Sequence, residues 1–152
     1  MNKWMQRAIE LALRNIEQGG QPFGAVLVKN EEIIGEGVNE LHLHPDSTGH
    51  AELLAVRRAQ EKLQSIDLTG TVMYASGAPC PMCFGAMAMA GVDKAYFANS
   101  LEEAISIGLS RSSEVYADLL KLENERSFRM IHMPVMDNEK NPMQVWYKCK
   151  DE

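Results

Sequence analysis

Apolar residues near the start of the chain fall at helical intervals. Met5, Ala8, Ile9, Ala12 and Ile16 share one face, and Gln18-Gly19-Gly20 supplies a glycine stop. The period then changes. Phe23–Lys29 (FGAVLVK) and Ile33–Asn39 (IIGEGVN) are short, mostly apolar runs around Asn30-Glu31-Glu32, which predicts a β-hairpin of largely buried strands. The loop HPDSTG, His44–Gly49, leads into a helix expected over His50–Leu63, with Leu53, Val56 and Leu63 among its apolar positions. Thr71–Ala75 (TVMYA) is rich in β-formers and predicts a central strand. From Cys80 to Ala90 the residues are mostly small or Met, which suits a closely packed helix ending at Gly91, and Lys94–Ala98 (KAYFA) predicts another strand. A strand–helix–strand unit this compact implies a right-handed parallel crossover. Beyond it the pattern predicts a short helix near Leu101–Ile105, a helix around Ser113–Glu125, a strand at Phe128–Met133 and a helix after Pro142.

The expected architecture is α/β: a mixed sheet opened by a hairpin, with helices on both faces. At 152 residues the chain is long enough for one sizeable core and too short for two ordinary ones, and no repeat or linker interrupts it, so it reads as one domain, 1–152. Its 45% hydrophobic and 24% charged residues suit a globular protein. No apolar run is long enough to span a bilayer, and the N-terminus lacks the ordered parts of a secretory signal, so the expected location is the cytoplasm. The formal net charge is −6 with Lys and Arg scattered, which favours a small-molecule substrate over nucleic acid, whose recognition needs a clustered basic face.

The chemistry gathers at Pro79-Cys80-Pro81-Met82-Cys83. A Cys-x-x-Cys pair is a redox dithiol, half of a structural zinc knuckle, or two ligands of a catalytic metal. Three cysteines is an odd number and argues against a disulfide scaffold. A closed structural zinc needs a fourth Cys or His ligand, usually from a second paired set, and no second such set exists; Cys149 stands alone near the tail. The catalytic reading finds its third ligand in His50, which opens the preceding helix, with Glu52 two residues on. In a regular helix those two side chains diverge by about 200°. They serve one site only if His50 lies at the helix entry, where the backbone is not yet regular. Three protein ligands and a water is the catalytic arrangement of zinc, and a carboxylate beside that water can carry its proton, contributing ~10² to 10⁴ in rate.

His50-Ala51-Glu52 followed by Pro79-Cys80-Pro81-Met82-Cys83 matches the pattern of the zinc nucleobase deaminases. The chain resembles the cytidine-deaminase-like superfamily, and within it the bacterial guanine deaminases and their plant guanosine deaminase relatives. PFGAVLVK looks like their first strand, GEGVN like the second with its Asn, YASGAPCPMCFGAM like the second zinc half, EEAISIG like the segment after the fourth strand, and NPMQVW like their C-terminal segment. The resemblance implies a three-layer αβα fold with a sheet of about five strands, a zinc ion held by His50, Cys80 and Cys83, and Glu52 as proton shuttle. It also implies Asn39, Phe23, Ala51 and Trp146 at the substrate, and a homodimer. Taken without the resemblance, Asn39 reads equally as a turn residue, Phe23 as a core aromatic, and Trp146 as a tail residue docking its helix.

The sequence also departs from that family. Ala78 stands where Glu usually precedes Pro-Cys, and Gly49 where Ala usually precedes His. After the AxxxG run, an acidic pair is replaced by Ser110-Arg111. Guanine presents N–H donors that a carboxylate satisfies well, so this change bears on the base, with Glu114 or Asp118 as neighbouring substitutes. The expected function is hydrolytic deamination of a free nucleobase or nucleoside, guanine-type first, with isoguanine, cytosine or isocytosine types as alternatives. A tRNA adenosine deaminase shares the catalytic parts but usually ends in a basic helix, whereas this tail, WYKCKDE, is mixed in charge. The alternative from another class is a non-catalytic zinc-binding scaffold, against which the retained Glu52 argues.

Overall fold

The computed structural model describes residues 1–150. The chain divides into two compact units, Met1–Ala117 and Asp118–Glu152. The first contains the whole sheet and opens with α1 (Lys3–Glu17), whose first amides are capped by Asn2: Trp4 N donates to Asn2 Oδ1 at 2.8 Å. Strands β1 (Gly24–Lys29) and β2 (Glu32–Val38) form the expected hairpin, followed by α2 (Ala51–Leu63), β3 (Thr71–Gly77), α3 (Pro81–Ala90), β4 (Lys94–Asn99), α4 (Leu101–Ser106) and α5 (Arg111–Leu119).

The sheet order is β2-β1-β3-β4. β1 pairs antiparallel with both β2 and β3, while β3 and β4 run parallel and are joined through α3. Glycines let helices settle on both faces. A Cβ on Gly24 would collide with the Ala8 carbonyl of α1, and one on Gly35 or Gly37 with the Ala55 or Ala51 carbonyl of α2. Gly24 and Gly37 lie opposite adjacent residues of the hairpin register, so α1 and α2 occupy opposite faces. The core on the α2 side includes Leu27, Ala55, Leu68, Met73, Cys83 and Met87.

This topology collects chain ends. Gly24 pairs with Val38, Ala25 with Ala75, and Gly77 with Asn99, so the start of β1 and the ends of β2, β3 and β4 share one edge. The loops that leave β2 and β3 there enter the N-termini of α2 and α3. In open α/β sheets the carboxyl ends of strands are where ligands bind.

The αβα fold expected from the sequence is the one observed, with four strands among the described residues instead of about five. The missing one is Phe128–Met133, which forms no strand. Its apolar side chains are exposed, Ile131 by 79% and Met133 by 86%, and among the described residues the second unit contains no strand for them to pair with. β-propensity alone does not hold a strand without a ladder partner. The helix expected to reach Glu125 stops at Leu119. The second unit carries two single 3₁₀ turns, Glu123–Glu125 and Asn138–Lys140, and α6 (Pro142–Cys149), capped by Asn141 Oδ1. Among the described residues no helix is long and apolar enough to cross a membrane.

Candidate metal centre and active site

His50 is the N-cap of α2, with extended backbone angles (φ −87°, ψ 151°), and Glu52 lies in the first helical turn. The change from extended to helical backbone at Ala51 lets the two side chains reach one site. Cys80 caps α3 in the same way, Pro81 fixes its first turn, and the Cys83 amide donates to Cys80 Sγ at 3.5 Å. Two helix N-termini therefore converge, each favouring negative charge. Nδ1 or Nε2 of His50 and the sulfurs of Cys80 and Cys83 lie within 4.8 Å of one another, and His50 Nδ1 is 3.4 Å from Cys80 Sγ.

The electrostatics follow from this crowding. The Cys83 thiol donating to Cys80, assisted by His50 and the Cys83 amide, lowers the Cys80 thiol to about 4 against the opposing effect of burial. Cys83 is pushed up because Cys80 takes its proton in a hydrogen bond and because it is fully buried beside Glu52. The Cys80 sulfur raises the His50 imidazole. Burial raises Glu52, which is only 6% exposed. One imidazole and two cysteine sulfurs form the borderline-soft donor set that suits zinc, and three ligands leave a position open. The His/Cys/Cys group fits Zn²⁺.

His50, Glu52 and Cys80 line a cavity of about 980 Å³ in the first unit. Ala51, Phe23 and Asn39 line it as well. The Phe23 ring lies where a Cβ on Gly77 would stand, so β3 makes room for it. Asn39 is buried; its Nδ2 donates to Gln21 Oε1 at 3.1 Å, and its Oδ1 accepts from Leu41 N at 3.1 Å. Ala78, Ser110 and Arg111 also line the cavity. Ser110 Oγ donates to Glu114 Oε1 at 2.8 Å and Arg111 Nη1 approaches Glu114 Oε2 at 3.1 Å, so Glu114 is engaged on its own helix. Asp118 is engaged too: its carboxylate accepts from the amides of Ser127 and Phe128. Trp146 lies on α6 in the second unit, 61% exposed, with Lys150 Nζ 3.7 Å from its ring centroid.

Four contributors escaped the sequence reading. Asn15 on α1 is buried, and its Nδ2 donates to Gln21 O at 2.8 Å and Asn39 O at 2.9 Å. Gln21 supports Asn39 and Ser112 lines the cavity. Tyr116 Oη donates to Pro79 O at 2.6 Å and ties α5 to the turn that carries Cys80. A signal existed for Asn15: it continues the Ala8, Ala12 spacing, so an amide sits on an otherwise apolar face. Ser112 and Tyr116 stand four apart on one helix face, which is a weak cue until the face is known to meet the site.

A family model, the cytidine and deoxycytidylate deaminase zinc-binding region, matches residues 1–99. The chain is 34% identical to the guanine deaminase of Bacillus subtilis over 144 residues, which is 94% of this chain and 91% of that protein. The X-ray structure of that guanine deaminase superposes with a TM-score of 0.88, covering 97% of this chain and 95% of the other. The chain is also 37% identical over 100 residues to the tRNA-specific adenosine deaminase of Buchnera aphidicola subsp. Schizaphis graminum, covering 66% of each.

Proposed function

Because this chain belongs to the cytidine and deoxycytidylate deaminase zinc-binding family, we propose that it is the hydrolytic deaminase of a free nucleobase or nucleoside, aminopurines of the guanine type first, with Glu52 as the proton carrier. The observation that carries the reading is the buried Glu52 in the cavity lining with His50 and Cys80, whose donor atoms lie within 4.8 Å of the Cys83 sulfur. His50, Cys80 and Cys83 would hold a zinc ion, and the chemistry it would supply is a water with its pKa brought toward about 7, a nucleophile at neutral pH.

The protein's own residues do the rest. Water adds to the ring carbon bearing the amino group; Glu52 accepts the water's proton and delivers it to the adjacent ring nitrogen. Glu52 then takes the remaining proton of the added hydroxyl and passes it to the departing nitrogen, which leaves as ammonia as the carbonyl forms. Burial raises the Glu52 carboxyl above its ordinary range, the direction that suits a group which must both take and give a proton. Phe23 and Ala51 offer apolar surface to the ring. Asn39 offers an amide to its polar edge, held rigid by Gln21 and Leu41 N. The acidic charge of the protein, −6 overall, favours a small substrate over tRNA. Exposed apolar side chains on α3 and β4, Phe84, Met89 and Phe97, favour a homodimer, which sedimentation equilibrium would report.

The test is ammonia release from a panel containing guanine, guanosine, isoguanine, cytosine, isocytosine, adenine and an adenosine-bearing anticodon stem-loop. Glu52→Gln is expected to retain zinc, measured by metal analysis, and to lose at least ~10²-fold in turnover. Parent-like turnover by that variant would sink the mechanism. Activity confined to the stem-loop would replace the small-molecule reading, and silence throughout would favour a zinc-binding scaffold.

A further inference from the structure

We propose that Gln21 is a substrate-binding residue, whose side-chain amide N–H meets a ring nitrogen or carbonyl oxygen on the edge of the base. The inference rests on reading the cavity as a deaminase substrate pocket and adds to it a group that selects the base. Gln21 is half-buried and lines the cavity with Phe23 and Asn39. Its Nε2 is solvent-accessible and has no hydrogen-bond partner among the described residues. An open polar group in the lining of a pocket is what fixes the orientation of a ligand.

The neighbouring groups dictate which end of that amide is open. Leu41 N is a backbone donor, so the Asn39 atom it meets at 3.1 Å is the oxygen, Oδ1. Asn39 Nδ2, a donor, is thereby turned toward Gln21, and the atom that receives it at 3.1 Å is Oε1. Reversing either amide would set donor against donor. The open end is therefore Nε2, which only donates.

The backbone beneath this side chain is fixed by the fold. The Gln21 carbonyl accepts from Asn15 Nδ2 and from Phe23 N, both at 2.8 Å. The next carbonyl, Pro22 O, accepts from Ser76 Oγ at 3.1 Å, and Gly24 N donates to that same oxygen at 3.0 Å. With its backbone and its Oε1 both held, the donor needs little further ordering when a ligand arrives. A donor held in this way favours a base that presents an acceptor to it, and opposes one that presents an N–H. Gln21 thus selects aminoheterocycles by an acceptor on their edge.

Two variants separate contact with the base from support of Asn39, with kcat/KM on the same base panel and zinc content as readouts. Gln21→Glu keeps an oxygen to accept from Asn39 Nδ2 but presents a second acceptor where the amide presented its donor. Gln21→Met, similar in length, presents neither. Gln21→Met should lower kcat/KM about tenfold for the best base through loss of the donor. Gln21→Glu should lower it by a further factor of about ten, because an acceptor then faces an acceptor. Both should retain the parent's zinc. Parent-like kcat/KM of Gln21→Glu, equal losses in the two variants, or loss of zinc together with turnover each overturns the inference and leaves the deaminase reading intact. A parent enzyme silent toward every base overturns both.

Discussion

Asn15 holds the cavity wall from behind, although it touches neither metal ligand nor cavity. Its amide satisfies the Gln21 and Asn39 carbonyls, and Gln21 in turn holds the Asn39 side chain. Asn15→Ala leaves both carbonyls without that donor in a buried place, which costs about 1–3 kcal/mol, or a melting temperature lower by several degrees for a chain of this size. The same substitution frees the Asn39 wall, so KM should rise more than kcat falls. A variant with the parent's melting temperature and KM would show that the amide contributes nothing. At this scale the sequence was read unevenly. His50, Cys80, Cys83 and Glu52 were legible because metal chemistry restricts residue type and spacing severely. Asn15 and Ser112 were not, because an amide or a hydroxyl gains meaning only from the neighbours that folding brings to it.

The end of α5 shows how elements are decided beyond their own periodicity. The helical pattern reaches Glu125, yet the regular helix stops at Leu119, and Asp118 accepts from Ser127 N at 2.7 Å and from Phe128 N. A carboxylate taking amides from the returning chain is an alternative to continuing the helix, and nothing in a 3.6-residue period announces it. The Phe128–Met133 strand failed for the complementary reason: alternation describes a strand's faces and says nothing about its partner. The Asp118 interaction has a pH signature. The Ser127 amide, helped by Phe128, holds the carboxyl down to about 2, below the ordinary value of 3.8. The folded value is depressed, so the contribution is fully present above about pH 4 and is lost as pH falls through about 2. A carboxyl ¹³C titration of Asp118 should give a midpoint well under 3.8, with the Ser127 amide shift following it. A midpoint at the ordinary value would remove this account of the helix end.

Across the whole molecule, the feature that joins site to stability is the position of Cys83, which is at once a ligand of the candidate metal centre and part of the core with Ala75 and Met87. The hairpin, the crossover and the helix order were legible because periods of two and 3.6 recur along the chain. That the site and the core share a residue was not, since burial is a property of the assembled sheet. The sharing makes metal binding a contribution to folding. The ligands come from two helices, and holding them together stabilises the native state by RT ln(1 + [Zn²⁺]/Kd). Stripping zinc with a strong chelator should therefore lower the melting temperature, and adding zinc back should restore it. Cys83→Ala should lose the metal and melt below the chelated parent, because it also removes a buried sulfur from a packed core and leaves a cavity; zinc should not rescue it. His50→Ala, at a half-buried position, separates the two effects: it should lose metal but melt near the chelated parent. If chelation leaves the melting temperature unchanged, the metal is not coupled to folding. If His50→Ala and Cys83→Ala melt alike, the core role of the Cys83 sulfur is refuted.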